Sequence, residues 1–201
     1  EEIRLAHLQW CDPAQANGPA PDLPVLTHQG YSVHGNEPST SESALLTAYY
    51  LVAGKGELVE KILNESVVFI DPAINPDGRD RFTHWANMHK ASPLVSDPLD
   101  REHQEVWPGG RTNHYWFDLI RDWLLVVHPE LQAMLKWYHR WLPNVTTDFH
   151  EMGSQSTYFF EPMKTNGSKD PIMPKENYTT LNDSFAVFYQ RYMDEMGSLY
   201  F

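Results

Sequence analysis

The sequence predicts an α/β fold, a mostly parallel or mixed central sheet with helices on both faces, and three observations predict it. Short strand-like runs at 23–33, 65–74 and 144–152 are separated by segments with helical periodicity, the alternation expected of crossover units. The middle run, "ESVVFIDPAI", is almost continuously apolar, as a strand buried on both faces would be. The chain's 201 residues, 41% of them apolar and with seven Trp, suffice for one well-filled domain.

Taken in order, residues 11–23, "CDPAQANGPAPDL", read as a loop because Pro, Gly, Asp and Ala dominate them. "LPVLTHQGYSV" then reads as the first strand. Ser39 with Glu42 three residues later has the form of a capping box, followed by the helical "SALLTAYYLV" and a stop at Gly54. After the second strand, "NPDG" at 75–78 reads as a tight turn. Residues 79–115 lack periodicity and carry Gly109-Gly110, which marks a long functional loop. Pro129 opens a helix in which Leu131, Met134, Leu135, Tyr138 and Trp141 recur on one face, and Pro143 closes it. "NVTTDFHEM" is the third strand, and a last helix over about 180–196 stops at Gly197. The whole reads as a single domain over 1–201.

Charge and cysteine content narrow the chemistry. With 15 basic and 27 acidic residues the net charge is −12, the wrong sign for a nucleic-acid partner. No apolar run approaches the roughly 18 residues of a membrane span, and no signal peptide opens the segment. One cysteine, Cys11, excludes an internal disulfide and a thiolate-rich metal site, whereas ten His leave imidazole ligation open. Catalytic zinc takes about three protein ligands and leaves a position for water. His34 and Glu37, three residues apart at the mouth of a helix, can supply two, and His150 at the end of another strand is the best-placed third. Alternation along that strand puts Asp148 on the face of His150, as an outer carboxylate, and turns Glu151 away. Bland alternatives stand beside this: a solvated turn for the His34/Glu37 pair, a satisfied buried histidine for His150. His84 and His89, with His103 and His114, form a competing cluster that reads as a solvated loop, and the Trp residues read as core and loop anchors.

"HGNEPS" after one strand, "NPDG" after the next, then "FDLIRDW" and "DFHE" resemble, in this order, the zinc carboxypeptidase family of the carboxypeptidase A type, over about residues 24–160. The resemblance implies one zinc ion held by His34, Glu37 and His150 and hydrolysis of peptide bonds near a free C-terminal carboxylate. It implies Arg121 as the clamp for that carboxylate and Arg111, in "PGGRTNHY", as the arginine facing the developing oxyanion. Both arginines could instead be paired with Asp118 or Asp122. The family usually has Asn where Ile120 stands, so the carboxylate grip should be altered. Its catalytic glutamate lies on a strand well after the second His, which places it beyond residue 201. The segment is therefore expected to be internal, incomplete at both ends and without its general base. The family also favours a secreted or periplasmic location. Two other functions compete: a zinc amidohydrolase or deacylase of small N-acyl amino acids, and a carboxylate-binding module without catalysis.

Overall fold

β1 (Val25–Tyr31) is the middle strand of a three-stranded sheet of order β2–β1–β3, with β2 (Ser66–Asp71) and β3 (Val145–Phe149) both parallel to it. The computed structural model describes residues 1–19, 21–153, 156–160 and 174–200, in two compact units, Glu1–Glu151 and Met152–Phe201. Ahead of the sheet, α1 (Glu2–Cys11) is a helix the sequence patterning did not indicate. The connection from β1 to β2 carries α2 (Pro38–Ala53) and α3 (Glu57–Glu65). That from β2 to β3 carries α4 (Pro76–His89) and α5 (Pro129–Trp141) and passes to the other side of β1. The winding direction reverses at β1, and at such a switch point the carboxyl ends of neighbouring strands frame a crevice.

Side-chain parity assigns the two faces. His28 on β1 and its register partner Phe69 on β2 both meet Trp137 of α5, with ring centroids 4.7 and 4.9 Å away. Tyr31, of opposite parity, stacks on Phe149 at 4.3 Å and reaches Thr47 of α2. Helices thus cover both faces, as the alternation of elements requires. Beyond the strand ends, Val33, Ile74, Leu119, Leu131 and Met134 form the buried core, with Ile120 and Val126 packed against it. Each such side chain contributes about 1.5–3 kcal/mol by leaving water.

Several expectations are corrected here. β2 is half-buried along its length and is an edge strand among the described residues, because only β1 pairs with it. "NPDG" begins a helix: Pro76 pre-sets φ for the first turn and the Asn75 side chain accepts the Gly78 N–H at 2.9 Å. Ser39 and Glu42 form no capping box, since α2 already starts at Pro38, and Glu42 pairs with Arg79 at 2.9 Å. His84 and His89 lie on α4, where His89 stacks on Trp85 at 3.8 Å, so these histidines do not gather. Trp107 and Trp116 anchor no core: both are exposed and pack edge to face on each other.

From Lys90 to His128 the chain is irregular apart from short 3₁₀ turns at Arg101–His103 and Leu119–Arg121. Arg81 on α4 holds this excursion, donating to the carbonyls of Gly109, Thr112 and Asn113 at 2.7, 3.1 and 3.0 Å. Asn113, fully buried, accepts the Tyr115 and Phe117 N–H groups, each at 3.0 Å. In the second unit, α6 (Lys175–Thr180) continues through a π-helical turn (Leu181–Phe185) into α7 (Ala186–Met196), which Gly197 caps in the left-handed conformation. There Phe160 packs on Tyr189 and Tyr200, at 5.1 and 5.6 Å. No helix among the described residues is long and apolar enough to cross a membrane.

Candidate metal centre

His34 follows the end of β1 by three residues and His150 follows β3 by one, and Tyr31 pairs with Phe149 across those strands. Adjacent parallel strands therefore deliver both imidazoles to one place, ring centroids 5.0 Å apart. Glu37, the residue preceding α2, lies between them. Its Oε1 is 2.8 Å from His34 Nδ1 and its Oε2 is 3.2 Å from His150 Nδ1. One donor atom from each residue lies within 4.8 Å of the others, and no second such group of His, Cys, Asp and Glu occurs among the described residues.

The loop that carries His34 is built for close approach. Ser32 takes a left-handed φ of 55°, which turns the chain sharply off β1. A Cβ on Gly35 would overlap the backbone of Gly78 and Arg79, so α4 packs directly on the loop. Asn75 completes the joint, with its Nδ2 donating to the carbonyls of Val33 and Arg111, both at 3.2 Å. The NPDG motif thus ties the exit of β2 to the His34 loop and to the Arg111 segment.

Each imidazole has a carboxylate on its outer nitrogen. Asp118 Oδ1 lies 3.0 Å from His34 Nε2, and Asp148 Oδ2 lies 2.9 Å from His150 Nε2. Hydrogen bonds to Asp148 and then Glu37 outweigh desolvation and raise the His150 pKa to about 10. Burial alone would raise Glu37, but hydrogen bonds from His150, His34 and the Glu151 N–H bring it down to about 2. Burial likewise opposes ionisation of Asp118, and contacts with His34 and Arg111 outweigh it and lower its pKa. The Glu151 N–H donates to Glu37 Oε2 at 2.9 Å, and its carboxylate turns to the Ser39 N–H at 2.5 Å.

The two arginines are placed differently. Arg111 closes the centre on one side, with Nε and Nη2 on Asp118 Oδ2 at 3.1 and 2.9 Å and Nη1 3.4 Å from His34 Nδ1. Arg121 ends a 3₁₀ turn, is exposed, and makes no ion pair among the described residues. Asp122 does not hold it, since that buried carboxylate accepts the N–H groups of Val127 and His128 at 2.9 and 2.8 Å. The Ile120 side chain packs against the core, and its N–H donates to Asp118 Oδ1 at 3.3 Å.

The donor set fits a zinc ion. Two neutral imidazoles and a carboxylate are ligands zinc accepts, and outer carboxylates fix the ring orientation that ligation needs. Sequence reasoning named Asp118 only as an arginine's partner. It stands 84 positions from His34, so no spacing pattern links them. The Asn75 bridge was missed for the same reason.

Comparison with known proteins agrees with this architecture. No curated protein and no solved structure matches the chain. The family model described as zinc carboxypeptidase, however, matches residues 29–198, most of its length and every residue of the centre just described. The chain belongs to the zinc carboxypeptidase family.

Proposed function

We propose that His34, Glu37 and His150 hold one zinc ion and that this centre serves hydrolysis of peptide bonds next to a free C-terminal carboxylate. One observation carries the reading: both imidazoles turn Nδ1 toward the same glutamate while each Nε2 is held by an aspartate. A turn of solvated polar residues has no need of that double orientation. Bound there, zinc would supply Lewis acidity, polarising a carbonyl and lowering the pKa of a water.

The chain's own residues do the rest. Asp118 and Asp148 orient the two rings and keep their inner nitrogens available. Arg121, exposed and without an ion pair among the described residues, is placed to take a substrate carboxylate in the two-pronged manner of a guanidinium. Arg111 stands beside the centre, 46% exposed, where its remaining N–H groups can meet an oxyanion. The exposure of both Arg111 and Arg121 favours a peptide substrate over a small enclosed N-acyl amino acid. The three carboxylates at the centre each face an imidazole and Glu151 is held by Ser39, so we assign no general base among the described residues.

Three measurements test the reading. Plasma emission should find about one zinc per chain, lost in His150→Ala; unchanged zinc in that variant would refute the ligand set. Calorimetry should then show zinc-loaded protein binding a peptide with a free C-terminus more tightly than its amide. With no general base assigned among the described residues, and such a base worth about 10²–10⁴-fold, hydrolysis by the zinc-loaded protein should be weak; efficient turnover would mean that Asp148, Glu151 or a carboxylate outside the described residues acts as the base.

A further inference from the structure

Two tryptophans stand in solvent, one on either side of Arg111 in the chain. Trp107 is 72% exposed and Trp116 57%, and their rings meet edge to face, centroids 5.0 Å apart and planes inclined at 64°. Rings left in water give up most of the burial that makes them stabilising, yet the fold fixes both. Trp116 takes a left-handed φ of 63°, a conformation that a bulky residue rarely adopts. Asn113 enforces it: the buried side chain accepts the Tyr115 and Phe117 N–H groups, its carbonyl accepts the Trp116 N–H at 3.1 Å, and its own N–H donates to the Phe117 carbonyl at 3.0 Å. Glu105 ties the Trp107 loop to the His34 loop, accepting from the Asn36 side-chain amide at 3.0 Å and from the Gly110 N–H at 2.5 Å. Strained backbone persists only where its surroundings over-determine it, and such positions gather at ligand sites. The pair also borders the metal centre. Trp116 is two residues from Asp118, so their Cα atoms lie within about 7 Å of each other, and Asp118 holds both His34 and Arg111.

We propose that Trp107 and Trp116 form a subsite for an aromatic side chain of the peptide substrate, upstream of the bond to be cleaved. The proposal rests on the peptidase reading above and names the part of the substrate that the site selects. Position sets the upstream side. In that reading Arg121 takes the C-terminal carboxylate, whereas Arg111, between the two tryptophans in the chain, faces the oxygen of the scissile carbonyl, which belongs to the preceding residue. Ring geometry sets the class of side chain. Planes inclined at 64° make a notch in which a third ring can lie on one indole and meet the edge of the other, the arrangements that aromatic rings favour. A sugar needs a flat open face, and two indoles this far from coplanar cannot both lie under one pyranose.

The test is titration calorimetry of the zinc-loaded chain with glycine tetrapeptides that carry one Phe, placed at each position in turn, each made as the free acid and as the amide. Phe at a position before the last should bind at least about tenfold more tightly than the all-glycine peptide, and the indole N–H resonances of Trp107 and Trp116 should shift with it. Trp107→Ala and Trp116→Asn should each remove most of that gain. Asn tolerates the left-handed φ, so the loop is kept, and circular dichroism with zinc content reports that fold and centre are intact. The acid-over-amide difference reads the Arg121 clamp separately: its loss with the Phe gain intact would refute the clamp and leave the ring pair supported. No gain at any upstream position, a gain confined to the C-terminal Phe, a gain that survives both substitutions, or tighter binding of a tetrasaccharide of N-acetylglucosamine at the same indoles would each overturn the inference.

Discussion

If His150 ligates zinc as proposed, the metal must displace a proton from it, and the contacts of that ring set how steeply affinity should depend on pH. Asp148 and Glu37 hold the imidazolium from both sides and raise its pKa to about 10. Glu37, at about 2, is already ionised at neutral pH and contributes no proton. Between pH 6.5 and 8.5 one proton from His150 therefore leaves for each zinc bound, and this share of the affinity should rise about tenfold per pH unit, a hundredfold in all. An ordinary histidine, with a pKa near 6.5, would contribute only about twofold over the same interval. The assay is chelator competition across that pH range, with proton release measured by calorimetry in buffers of different ionisation enthalpy. Asp148→Asn removes the largest cause of the shift and should flatten the slope. A wild-type gain below about fivefold, or an Asp148→Asn slope equal to wild type, would refute the assignment of Asp148 as the carboxylate that holds this ring.

Three further outcomes follow from the same contacts. Asp118→Asn frees His34 Nε2 from its carboxylate and should weaken zinc about 10–100-fold, read by the same competition assay, with the fold intact by circular dichroism. Arg121→Lys replaces a fork by a point charge and should cost peptides with a free C-terminus about tenfold in affinity or more, and their amides little; equal losses would mark Arg121 as structural. Gly35→Ala forces a Cβ into the backbone of α4 and should cost at least about 1–3 kcal/mol, a drop of several degrees in Tm by thermal melt; an unchanged Tm would deny that close packing.

The alternation of strands and helices was legible because periodicity is local: a strand repeats every two residues and a helix every 3.6. That is why β1, β3 and α5 lie where the pattern puts them, with Pro129 opening α5 and Pro143 following it. That His34, Glu37 and His150 would lie together, as they do, was legible as well, since residue type marks possible ligands and strand ends are where α/β sheets place their sites. Local pattern misled where two local signals compete. Asn-Pro-Asp-Gly suits a turn and a helix start equally, and the Asn75 contacts with Val33 and Arg111 commit it to the helix joint. What only the tertiary structure decided are the pairings between distant segments: Asp118 on His34, Arg111 on Asp118, and Asn75 on Val33 and Arg111. These depend on which strand neighbours which. In a β2–β1–β3 sheet that order brings residues 34 and 150 together and leaves no trace in the spacing of either.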